Sequence, residues 1–298
     1  MALPFHPSLK KLSQECGEWM EHVRKTGDYD RYAAAIEKFL ATPGPLDPKA
    51  ATQLDRIGHY FNVAACDAYF RSNTADLARF LQWSVALRAL VFRWHGMHSE
   101  MHPDIGNWPT QFWDSMKAVG PTMLSWWEEA RICSQRFLEM AEKDQRINTL
   151  PQSRRLAEGT NDAFLALLFS DAFGIPTDFA PQKPVIAAYR SLLDHWKTTD
   201  EATFTNAMQG ASEFHISRSK HSTGSTFYEF DRDIDRLFPG ELLAIQALRR
   251  RDGQPEFETG HLLVDAPWAI VRDLPPVAPH PLAAAVEARL KQDYPLFR

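Results

Sequence analysis

Cysteine is scarce in this chain. Cys16, Cys66 and Cys133 are odd in number, far apart and not arranged in pairs, which excludes a disulfide framework and a zinc ribbon and leaves free structural thiols as the expectation. Long apolar runs are missing as well, so no segment is expected to cross a bilayer. The opening MALPFHPSLKKL lacks the basic stretch and apolar core of a signal peptide, and the compartment expected from this is the cytoplasm. Basic excess is absent too: 33 Lys and Arg stand against 38 Asp and Glu, a formal net charge of -5, which argues against a general nucleic-acid binder. No phosphate loop, dinucleotide fingerprint or nucleophile elbow occurs, and no cofactor is expected.

What is present is apolar and helical in rhythm. With 44% hydrophobic and 12% aromatic residues, 298 residues can bury a large core. Periods of three and four predict helices over 8–25, 29–41, 47–71, 74–102, 109–118, 121–144, 153–173, 183–197, 200–214, 239–251 and 281–292. Breaks are signalled at Thr26-Gly27-Asp28, at Pro43-Gly44-Pro45 and at Ser72-Asn73-Thr74, while Asp47-Pro48 and Pro121 suit helix starts. The run AFLALLF is apolar on nearly every side and predicts a helix surrounded by others. Residues 217–230 and 255–280 read instead as irregular or short extended chain. TFYEFD suits a short strand, and HLLVDAPWAIVRDLPPVAPHP suits proline-punctuated coil. The expected class is therefore all-α, a multi-helix antiparallel bundle or short solenoid-like stack. One domain is expected, with a possible division into 1–150 and 151–298.

Three patterns invite a chemistry. In RWHGMHSEMHPD, His95, His98 and His102 share one flank of the fourth helix and can in principle offer nitrogens to zinc. The core face of that helix is assigned to Phe80, Trp83, Leu87, Leu90, Trp94, Met97 and Met101, and the flank reads as a half-buried or interface stripe. In DRDIDRLFPGE, Asp231, Asp233 and Asp235 alternate as in a calcium loop, but Arg236 and Leu242 occupy the positions that need glycine and a bidentate glutamate. Ser217 and Lys220 have a serine-x-x-lysine spacing without its companion motifs. Arg249, Arg250 and Arg251 read as cations favoured near a helix end.

A charge pattern remains. Between 229 and 265, nine acids face five arginines, a local net of -4. Glu229, Asp231, Asp233, Asp235, Glu256 and Glu258, beside aromatics such as Phe227, Tyr228 and Phe257, are the candidate partner-binding residues.

The stretch DRDIDRLFPGELLAIQALRRRDGQPEFETGHLLVDAPW, residues 231–268, resembles the helical immunity proteins encoded beside bacterial polymorphic toxins, in particular the immunity protein 49 type. The resemblance implies an antidote, not an enzyme, that occludes a cognate toxin domain such as a nuclease, with no catalytic residue and no metal. An acidic surface would compete with phosphate for a basic nuclease groove. Two alternatives stand beside it: a helical metal-dependent hydrolase using His95, His98 and His102, and a helical-repeat scaffold for protein partners.

Overall fold

The computed structural model describes residues 2–104, 112–147, 159–223 and 226–298. Among these residues the chain forms thirteen α-helices and no strand, so the all-α expectation holds. Where TFYEFD was expected to extend, only an isolated bridge joins Thr223 to Thr226. No helix among the described residues is long and apolar enough to cross a membrane.

The chain divides into two units, one of Met1–Met97 with Leu274–Arg298 and one of His98–Asp273. The division falls inside a helix, not near residue 150, and the last helix belongs with the first four.

The first unit contains α1 (Lys10–Thr26), α2 (Asp28–Ala41), α3 (Lys49–Phe70), most of α4 (Thr74–Met101) and α13 (Pro281–Asp293). Its helix ends follow local chemistry. Gly27 at φ 64° closes α1, because a residue without Cβ enters the left-handed region at little cost. Asp47 Oδ1 accepts from Lys49 N, and Asn73 Oδ1 accepts from Asp76 N at the start of α4. A Cβ at Gly58 would lie 3.6 Å from Leu87 Cβ, so α3 and α4 pack closely, and Ser84 donates to Asn62 between them. Arg289 on α13 donates to Leu40 O, and Asp293 accepts from Leu46 N, which ties the C-terminal helix to the turn after α2.

The core stripe assigned to α4 is only half right. Leu87, Leu90, Trp94 and Met97 are buried, but Phe80 and Trp83 are half-buried and Met101 is 42% exposed. Leu81, Ser84, Arg88 and Val91, assigned to the flank, are buried as well. The middle of α4 is enclosed on both faces, so burial follows position along the helix as well as stripe.

The second unit contains α5 (Phe112–Met123), α6 (Trp127–Ile147), α7 (Asn161–Phe173), α8 (Ala187–His195), α9 (Glu201–Arg218), α10 (Asp233–Leu237), α11 (Gly240–Arg251) and α12 (Leu262–Val271). Ala163, Phe164, Leu165, Ala166, Leu168 and Phe169 of α7 are all fully buried, as the all-round apolar run required. The part of that expected helix at 153–158 lies outside the described residues, as does 109–111 of the helix expected over 109–118.

Two prolines lie inside helices, against the expectation from the sequence. Pro121 does not open a helix; it sits near the end of α5, and α6 starts after Ser125, whose φ is 59°. Residues 262–271 are not extended chain but α12, with Pro267 inside it. Leu263, Val264, Pro267, Trp268 and Val271 fall on one helical stripe and are buried. That burial outweighs the one backbone bond that proline removes.

Candidate functional site

Five segments of the second unit bring ionisable side chains together in its interior. The first is the start of α7. Gly159 has φ 71°, and a Cβ there would meet Pro184 O at 2.4 Å, so only glycine lets the chain turn beneath that strap. Ile186 N donates to Gly159 O at 3.0 Å. The turn aims Asp162 into an apolar helix environment. Its Oδ1 accepts from Ala163 N at 2.8 Å and from Thr160 Oγ1 at 3.3 Å. Burial raises its pKa to about 7 against those two bonds, and nearby Glu229 adds to the rise.

Tyr189 comes from α8 and stacks on Phe164, ring centroids 4.6 Å apart and planes at 17°. Its hydroxyl donates to Glu241 Oε1 at 3.2 Å. His215, near the end of α9, lies against Phe230 at 3.8 Å and puts Nδ1 2.7 Å from the same Glu241 oxygen. Glu241 enters on the first turn of α11, where a helix N-terminus favours negative charge. Burial, then Glu241, pushes the Tyr189 hydroxyl well above its ordinary range. Glu229, 5% exposed, is held by Arg218 Nε.

This arrangement has the parts of a general base. A carboxylate facing Nδ1 favours the tautomer protonated there, leaving Nε2 with a lone pair. His215 Nε2, Glu241 Oε2 and Asp162 Oδ2 are all buried without a hydrogen-bond partner. Yet His215, Glu241 and Asp162 are all 0% exposed. The cluster is a set of mutually oriented groups buried inside the unit.

The six acids singled out in the sequence are divided by the fold. Glu229 belongs to the interior cluster, and Asp235 is 3% exposed. Asp231 is half-buried with Arg232 at 3.9 Å, and Asp233 opens α10 with Arg236 at 3.7 Å. Glu256 is exposed between Arg250 at 3.8 Å and Arg272 at 4.0 Å, and Glu258 is exposed. Two of these cations, Arg218 and Arg272, lie outside the window that was counted, so the local net of -4 overstates the surface charge. Ser217 is exposed and donates to Phe214 O, and Lys220 lies over the Tyr228 ring at 5.7 Å. Arg249 is fully buried and donates to the carbonyls of Trp196, Thr198 and Pro255, a larger role than that of a helix-end cation.

The histidine flank is graded in depth. His95 is half-buried, His98 is 9% exposed and His102 is exposed. Burial first, and His102 second, lowers the pKa of His98. Among the described residues no three His, Cys, Asp or Glu side chains gather as a metal-holding group. At the end of α4 the cation that meets the free carbonyls is Lys143, which donates to Ser99 O at 2.6 Å and His102 O at 2.5 Å.

His215, Glu241, Tyr189 and Asp162 were not singled out from the sequence, because 162, 189, 215 and 241 meet only through tertiary packing. One signal was available: an aspartate in the first turn of a helix apolar on every side must be buried or break the helix. No protein-family model, no curated protein and no solved structure matches the chain significantly.

Proposed function

We propose that the chain is a non-catalytic binding protein, an immunity protein that neutralises a cognate bacterial toxin domain, such as a nuclease, by covering it. The observation that carries this reading is the enclosure of the acid–base cluster. His215 and Glu241, the pair with the makings of a general base, are 0% exposed, and an enzyme needs such a base within hydrogen-bond reach of its substrate. A cluster enclosed in this way acts on the fold: the bonds of Tyr189 and His215 to the one Glu241 oxygen fix one packing among several.

The stretch that resembles the immunity proteins fits a scaffold role as well. Ile234, Leu237, Phe238, Leu242, Leu243, Ile245 and Leu248 are all core residues, and Glu241 belongs to the cluster. Partner contact then falls to the surface, where the exposed acids Glu256 and Glu258 lie. The cytoplasm is the compartment in which such an antidote acts.

Co-expression tests the reading. The toxin domain encoded beside this gene is expected to arrest growth alone and to be neutralised, and co-purified, with this chain. Glu241→Gln protein that still folds is expected to protect as well as the parent. If the adjacent domain is neither bound nor neutralised, or if a folded Glu241→Gln or His215→Gln protein loses protection while still binding the toxin, the occlusion reading fails.

A further inference from the structure

The first unit carries three half-buried aromatic side chains that lie side by side. Trp19 on α1 and Tyr60 on α3 have ring centroids 6.2 Å apart, and Tyr60 and Tyr29 on α2 are 4.9 Å apart, with the planes tilted at 52° and 44°. Tyr29 is steadied by His280, whose Nε2 is 3.2 Å from its hydroxyl.

Elsewhere in this unit, aromatic rings are covered by the chain's own cations. Arg79 lies over Phe80 at 4.8 Å and Trp83 at 5.5 Å, Arg31 and Arg56 lie over Tyr32 at 5.1 and 5.3 Å, and Arg93 lies over Phe297 at 5.1 Å. Among the described residues Trp19, Tyr60 and Tyr29 have no such cation. Carboxylates neighbour the two tyrosines instead. Asp30 and Glu37, seven residues apart on α2 and so on one face, are both exposed and make no ion pair among the described residues. They lie close enough to raise the Tyr29 hydroxyl after burial and Tyr60, and Asp30 raises Tyr60 as well. Arg24 opposes the rise at Tyr60.

Half-buried rings bordered by carboxylates that make no ion pair among the described residues are complementary to a cation. Ring quadrupoles and carboxylates attract the same charge, and a guanidinium satisfies both by stacking on a ring while donating to an acid. We infer that Trp19, Tyr60 and Tyr29, with Asp30 and Glu37, form a docking face for a basic segment of a protein partner, its arginine side chains seated on the rings. This rests on the proposed function for the partner's identity and names the chemistry of the contact: the toxin domain presents arginines to these residues of the first unit.

Hexa-arginine and hexa-lysine peptides carrying a fluorophore, titrated by anisotropy at low salt, are the probe. The parent is expected to bind hexa-arginine several-fold more tightly than hexa-lysine, because an ammonium does not stack as a plane. Asp30→Lys with Glu37→Lys is expected to weaken hexa-arginine binding by about tenfold or more, and Glu256→Lys with Glu258→Lys by less than about threefold. Trp19→Leu, checked by circular dichroism for an intact fold, is expected to remove the preference for arginine. No binding by the parent, equal losses from the two charge reversals, or an unchanged preference in folded Trp19→Leu overturns the docking face. The neutralisation assay separates the two readings. Asp30→Lys/Glu37→Lys protein that neutralises the toxin like the parent sinks this face and leaves the function. Peptide binding lost only in that variant, with no toxin neutralised by the parent, keeps the face and sinks the function.

Discussion

Each unit buries a histidine with one ring nitrogen hydrogen-bonded, and the two surroundings differ in kind. His280 in the first unit is 2% exposed, bonds to the Tyr29 hydroxyl and packs edge-on to Phe61 and Trp83 at 5.1 and 5.0 Å. Its other nitrogen has no partner, and burial lowers its pKa to about 4. His215 in the second unit is 0% exposed and faces a carboxylate that also accepts from a tyrosine, with Asp162 and Glu229 in the same electrostatic field. One interior is aromatic and keeps its histidine neutral; the other contains acids and must balance them.

The difference teaches that His280 and Asp162, each buried in its own unit, answer protons in opposite directions. His280 has its folded pKa below the unfolded 6.5, so its contribution is present above that value and is lost as pH falls towards 4. Asp162 has its folded pKa above the unfolded 3.8, so its contribution is present below that value and is lost as pH rises through about 7.

The largest effect expected is that of removing the shared acceptor. Glu241→Ala leaves the Tyr189 hydroxyl and the His215 ring inside without the oxygen they both use, and should cost about 3 to 5 kcal/mol in urea denaturation. A loss below about 1 kcal/mol would mean that the cluster is not what orders the second unit, and the contrast with the first unit would collapse.

Next comes Asp162→Asn, which keeps the acceptor for Ala163 N and removes the titration. The stability difference between variant and parent should shift in the variant's favour by about 4 kcal/mol from pH 4 to pH 7, at about 1.4 kcal/mol for each pH unit. A difference that stays flat across that range would show that the carboxylate is ionised in the folded chain throughout.

His280→Phe should show the reverse trend in the first unit. The parent should lose about 3 kcal/mol relative to the variant between pH 6.5 and pH 4, measured by the same denaturant midpoints. Parallel pH curves for His280→Phe and parent would place a proton on that ring in the folded state.

These contrasts were only partly legible in the sequence. Helices with one clear stripe, such as α1 with Leu12, Cys16, Met20 and Val23, declare themselves by period. α12 was hidden by Pro267, although Leu263, Val264, Trp268 and Val271 keep helical spacing and their burial outweighs the proline. Pro121 misled in the same way, since a proline is tolerated wherever packing repays its missing donor. The interior cluster was not legible, because Asp162, Tyr189, His215 and Glu241 lie 26 or more residues from one neighbour to the next and no short motif connects them. Glu229 was read for its charge, when its burial and its bond to Arg218 decide what it does.

The smallest effect tests that last point within one acidic stretch. Glu229 and Glu256 are the same residue 27 positions apart, with side-chain exposures of 4% and 41%. Glu256 stands 3.8 and 4.0 Å from two arginines that are themselves more than 40% exposed, where solvent screens the attraction and side-chain entropy offsets it. Glu256→Gln should therefore change the urea midpoint by less than about 0.5 kcal/mol. Glu229→Gln leaves Arg218 facing a neutral amide beside the interior cluster and should cost about 2 kcal/mol. Equal losses from the two substitutions would mean that Arg250, Arg272, Glu256 and Asp273 act as a network, and that surface charge in this stretch holds the fold as firmly as buried charge does.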